Sequence, residues 1–229
     1  MSAFPQPRDV QYHESLSGLT LSEDDFLALL EKVIGESKYV QNNPRQGLVP
    51  EEGRVAAHIL GELEPYSTSN GGPLEITKLE YVPNRPNIKI KLPGATAGTI
   101  GLIGSHMDVV PANPETWQRD PFKLVREGDR LYGRGTTDCL GHVCLITRLM
   151  CDLAKSGAKL NKTIVVVFIA AEEGGERGVG IDQVVASGDM EELKNGPVFW
   201  IDSADSQPCV GTAGALQWHL KTTGRLFHR

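Results

Sequence analysis

Six polar side chains in this sequence could carry metal-ligand or proton-transfer chemistry: His106, Asp108, Glu172, Glu173 and Asp202 after apolar runs, and Asp138 after a glycine-rich turn. His106 closes the run TIGLIGSH, and alone it reads as a hydrogen-bonded structural histidine. Asp108 changes that reading. Two residues on, it lies on the same side of an extended chain and can accept the second ring proton of a metal-bound imidazole. Asp138 ends the glycine-rich turn GRGTTD ahead of a helical pattern. Its ordinary role there is an N-cap, but the small neighbours also let its carboxylate approach other strand ends. Glu172 and Glu173 are adjacent at the end of TIVVVFIAA. They repel each other unless one binds a cation and the other can hold a proton; a solvated loop is the alternative, because GGER follows at once. Asp202 ends PVFWID, with Asp205 as its rival.

Imidazole and carboxylates without a cysteine ligand fit a catalytic zinc or cobalt site rather than a closed structural zinc, and the chemistry is hydrolysis. His142 lies four residues after Asp138, on a helix expected to point it away from the strand ends. His13, His58 and His219 lack acidic or histidine neighbours at ligand spacing and read as surface or structural residues. GGERGVG has neither the Lys-Ser/Thr pair of a phosphate-binding loop nor GxGxxG spacing, so it reads as a flexible turn.

The elements that must position these groups follow from periodicity. Phe26, Leu29, Leu30, Val33 and Ile34 recur at helical spacing behind Ser22 as N-cap. A second helix is expected from near Pro50, burying Val55, Ile59, Leu60 and Leu63. Strands are expected at 76–82, 87–92 and 99–106, the last of them central. A helix over 141–155, a buried strand at TIVVVFIAA, a weak helix over 181–195 and a buried strand at PVFWID follow. This alternation predicts an α/β sheet covered on both faces, with chemistry collected at strand ends.

At 229 residues the chain exceeds the rough 150-residue domain size, so core volume is not limiting. A net charge of −6, from 23 basic against 29 acidic residues, gives no electrostatic support for nucleic acid or for a polybasic membrane patch. The longest apolar run is too short to cross a bilayer, and MSAFPQPRDV lacks signal-peptide regions. Four cysteines without paired spacing suit a reducing, cytoplasmic setting. A small-molecule partner is the remaining class.

The order SHMDVVP, Trp117, Asp120-Pro121-Phe122, LYGRGTTD, Glu172-Glu173 and IDSADSQP resembles the co-catalytic zinc aminoacylase and carboxypeptidase family, with a weaker match through RPN at 85–87. The resemblance implies a three-layer α/β/α catalytic domain with a mixed sheet, incomplete at the C-terminus. It implies that Asp138 bridges two metals, that His106 and Asp202 complete one zinc site, and that Glu173 serves the other. It makes Glu172 the general base, Asp108 the group that orients His106, and His228 the histidine that steadies the developing oxyanion across a dimer. DCLGH replaces the family's more usual lysine and second glycine after the bridging Asp.

Carried along the chain, the resemblance implies a catalytic part over residues 1–212 and the start of a lid and dimerisation domain over 213–229. The remainder of that domain, the rest of the sheet and a late metal-binding histidine are expected to be missing. One metal held by His106, Asp138 and Asp202 is then expected, with the second bound weakly or not at all. The implied substrate is a small N-acylated amino acid, cleaved at its amide bond. A dipeptidase or carboxypeptidase action and a non-catalytic, metal-stabilised module are the alternatives.

Overall fold

The computed structural model describes residues 18–203, 211 and 220–224. The chain enters through α1 (Glu23–Glu36), where the Ser22 hydroxyl accepts from the Asp25 amide and caps the first turn. Leu29, Leu30, Val33 and Ile34 form its buried stripe, as their spacing predicts. Helix α2 (Gly53–Leu63) starts later than Pro50 suggests, because Glu52, at the N-cap position, turns its side chain inward to a buried arginine instead.

Five strands form the main sheet: β1 (Glu75–Glu80), β2 (Pro86–Leu92), β3 (Thr99–His106), β6 (Thr163–Ile169) and β7 (Val198–Trp200), in the spatial order β1-β2-β6-β3-β7. A small antiparallel hairpin, β4 (Val125–Glu127) and β5 (Arg130–Tyr132), stands apart from it. The sheet is mixed. β1, β2 and β6 pair antiparallel, whereas β6, β3 and β7 run parallel. β3 is interior as expected, although β6 holds the middle position.

Alternate residues of β6 serve opposite faces, as a strand period of two requires. Val166 and Phe168 join α1, α2 and α3 (Leu140–Ser156) in the larger core. Val165, Val167 and Ile169 face the other way, onto Val184 of α4 (Ile181–Ala186) and Leu193 of the 3-10 turn at Glu191–Asn195. These are the three layers of an α/β/α fold. The weak helix expected over 181–195 is thus two pieces, separated where Gly188 adopts a left-handed φ of 80°.

The expectation that PVFWID is buried is not met. Among the described residues β7 pairs only with β3, at the edge of the sheet, and Val198, Phe199 and Trp200 are 45%, 54% and 51% exposed. Gly104 makes the close approach of β7 possible. A Cβ there would sit 2.7 Å from the Trp200 ring, and its φ of 95° falls where the β3–β6 register shifts.

Candidate metal centre

Because β3, β6 and β7 are parallel, their C-terminal ends open on one edge of the sheet, the place where α/β folds collect their chemistry. His106 stands there with no exposed surface. Its Nδ1 lies 2.8 Å from the Asp108 carbonyl oxygen, and its Nε2 points outward among carboxylates. Asp138 Oδ1 is 2.9 Å from that nitrogen, Asp202 Oδ1 3.7 Å and Glu172 Oε2 3.9 Å. Ligand atoms of His106, Glu172 and Glu173 lie within 4.8 Å of one another. The fold therefore brings together all of the predicted site residues except His228, which lies outside the described residues, as does Asp205.

Asp138 is not an N-cap. Cys139 occupies that position without a side-chain bond, leaving the Asp138 carboxylate to His106 and to the Ser203 hydroxyl, which donates at 3.1 Å. Asp108 faces His106 with its main-chain oxygen more closely than with its carboxylate, which is 3.4 Å away. The carboxylate instead accepts from the amides of Glu172 at 3.1 Å and Glu173 at 3.0 Å, and from Asn42 Nδ2 at 2.8 Å. It ties the turn after β6 to the end of β3.

The charges are unbalanced. Burial works against the His106 imidazolium, but Asp108 and Glu172 outweigh it and push its pKa up to about 10. Burial also works against the Asp108 carboxylate, and His106, Asn42 and the Glu172 amide reverse this to hold it below the usual range. Glu173 is pushed up to about 7, by burial first and then by Asp138, Asp108 and Glu172, against the pull of His106. Glu172 shifts upward for the same kind of reason, with burial leading and Asp202, Asp108 and Asp138 adding to it.

Five carboxyl groups, those of Asp108, Asp138, Glu172, Glu173 and Asp202, thus surround one imidazole. His106 shares one set of mutually close ligand atoms with Glu172 and Glu173 and another with Cys139 and Asp202, while Asp138 lies beside its Nε2 outside both sets; oxygen and imidazole donors of this kind fit a divalent ion. Cys139 Sγ also falls within 4.8 Å of the His106 and Asp202 ligand atoms, a neighbour the sequence did not suggest. Burial pushes that thiol up to about 12, so it stays protonated at neutral pH. His142 is not among the clustered ligands and sits 3.7 Å from Cys139 Sγ.

Residues 102–215 match the family described as Peptidase family M20/M25/M40. The chain belongs to that family. It is 50% identical over 212 residues to the acetylornithine deacetylase of Arabidopsis thaliana, covering 91% of this chain and 48% of that protein. It is 48% identical over 218 residues to the acetylornithine deacetylase of Dictyostelium discoideum, with the same 91% and 48% coverage. The chain spans about half the length of the curated relatives it matches. Among solved structures, human carnosine dipeptidase 1 shares the fold with a TM-score of 0.59 at 23% identity, over 75% of this chain and 36% of that one. Membership of this metallopeptidase family implies a divalent metal, in keeping with the donor set at the strand ends.

Two cavities adjoin the centre, and Glu172 lines both. One, of about 630 Å³, is bounded by Asn42, Arg45, Val110, Pro111 and Glu173. The other, of about 470 Å³, lies between Ile169, Glu176, Arg177 and Trp200.

Proposed function

We propose that this chain forms the metal-binding half of a hydrolase that cleaves the amide bond of an N-acylated amino acid, N-acetylornithine foremost. The observation that carries the reading is His106 Nε2 facing carboxylates delivered by the turn before α3 and by the ends of β6 and β7, at 2.9 to 3.9 Å. The acetylornithine deacetylases at 50% and 48% identity supply the substrate class. Arginine biosynthesis in the cytoplasm is the corresponding setting. No helix among the described residues is long and apolar enough to cross a membrane.

His106, Asp138 and Asp202 would hold one zinc or cobalt ion, and Glu173 would contribute to a second. When bound, the metal supplies Lewis-acid chemistry, polarising an amide carbonyl and acidifying a water molecule. Asp108 keeps the His106 Nδ1 proton in place through its carbonyl, leaving Nε2 free to act as a ligand. Glu172 is the general base: it borders both cavities, and its raised pKa suits a carboxylate that takes a proton from water and returns it to the leaving amine. His228 is assigned the steadying of the oxyanion. Residues 1–212 are assigned to the catalytic part and 213–229 to the start of a second, dimerising part.

The test is to incubate the 229-residue chain, and a form extended to the length of its relatives, with cobalt or zinc and a panel of N-acetylated amino acids and dipeptides. Turnover of N-acetylornithine by the extended form is expected. Glu172→Ala should keep the metal and lose about 100-fold or more in rate. Preference for dipeptides would overturn the substrate, and an unchanged rate in Glu172→Ala would overturn the base.

A further inference from the structure

Behind the ligands runs a chain of polar contacts that begins at Glu52, whose Oε1 accepts from the Ala171 amide at 3.2 Å, next to Glu172. Glu52, with no exposed surface, pairs with Arg85 in a two-pronged bond, Nε to Oε2 at 2.9 Å and Nη2 to Oε1 at 2.8 Å. Arg85 Nη1 reaches Glu176 Oε1 at 3.4 Å. Glu176 Oε2 accepts from Asn42 Nδ2 at 3.0 Å, and the same nitrogen donates to Asp108 Oδ2 at 2.8 Å. Asp108 then holds the amides of Glu172 and Glu173.

Asn42 is the link. Both of its Nδ2 partners are carboxylates, which fixes the amide's orientation, since an oxygen placed there would meet acceptors. Its other end seats against Gly174, where a Cβ would lie 2.3 Å from Oδ1, and that oxygen is buried without a hydrogen-bond partner. Its backbone is anchored too, with its N–H donating to the Val109 carbonyl at 2.8 Å.

We infer that Asn42 is a positioning residue of the metal centre: by bridging Glu176 and Asp108, it fixes the residue that faces the His106 ring and holds the amides of the Glu172–Glu173 turn. The inference rests on the metal-centre reading above. Outer partners of metal ligands typically contribute about 10- to 100-fold in affinity, because they set ligand geometry without touching the ion.

The test is cobalt titration of the full 229-residue chain, read by affinity and by the visible ligand-field bands, which report coordination geometry rather than folding. Asn42→Ala removes the bridge. Gly174→Ala displaces it without deleting a hydrogen bond, and Glu176→Gln, at a half-buried position, serves should the others fold poorly. Circular dichroism gives the folded fraction by which each affinity is corrected.

Corrected affinity for Asn42→Ala and Gly174→Ala is expected to fall about tenfold or more, with shifted bands. Wild-type affinity and bands in these variants would overturn the inference while leaving the metal centre intact. So would a loss explained wholly by unfolding with unshifted bands. Failure of the wild-type chain itself to take up cobalt would instead bring down the metal-centre reading, and this inference with it.

Discussion

Acidifying the metal-free chain from about pH 8.5 to about pH 6.5 is expected to weaken cobalt binding by roughly 100-fold, since ligands must lose their protons before they can coordinate. His106 in the metal-free chain has its pKa pushed up to about 10, so throughout this window one proton must leave Nε2 for each ion bound. Two pH units below that pKa therefore contribute about 100-fold. At the second site Glu173, pushed up to about 7, weakens binding roughly fourfold over the same window, because it gains most of its proton near the acid end. An unshifted imidazole of pKa about 6.5 would change affinity only about twofold over the same range. Competition against a chelator of known proton affinity gives the slope directly.

The sign for stability is opposite in the metal-free chain. A raised His106 contributes stability that is present below pH 6.5 and lost as pH rises towards about 10. A raised Glu173 likewise removes stability as pH climbs from 4.5 through about 7. The gain in Tm on adding cobalt should therefore widen with pH. A flat affinity above about pH 7.5, where an ordinary imidazole is already neutral, would refute the proposed charge state of His106.

Other outcomes follow from packing. Arg85→Met leaves Glu52 buried without its partner and should cost about 3 to 5 kcal/mol in denaturant unfolding; a loss under about 1 kcal/mol would mean that Glu52 protonates or rehydrates at little cost. Phe199→Lys, on the exposed edge strand β7, should reduce aggregation by light scattering and leave cobalt affinity unchanged. Unaltered aggregation would mean that another surface drives association.

Much of the site was legible in the sequence because its ligands terminate apolar runs. β3, β6 and β7 announce themselves by composition, and parallel pairing then aligns their ends, so His106, Glu172, Glu173 and Asp202 meet. The exposure of β7 was not legible, because an apolar strand looks the same whether or not a further neighbour covers it. Nor was the role of Asn42, which sits in an unremarkable Asn-Asn-Pro loop 66 residues from Asp108 and 134 from Glu176. GGERGVG read as a flexible turn, yet Gly174 seats Asn42 and Glu176 carries the contact to Arg85. Such bridges depend on tertiary approach, and periodicity carries no trace of it.

The account stands most directly on where an ion binds. Crystals of the chain grown with zinc and measured on both sides of the zinc absorption edge would locate it. The expected result is a strong anomalous peak about 2.0 to 2.2 Å from His106 Nε2 and from carboxylate oxygens of Asp138 and Asp202, with any peak near Glu173 weaker. An empty cleft, or zinc held elsewhere with His106 still hydrogen-bonded to Asp138, would contradict it.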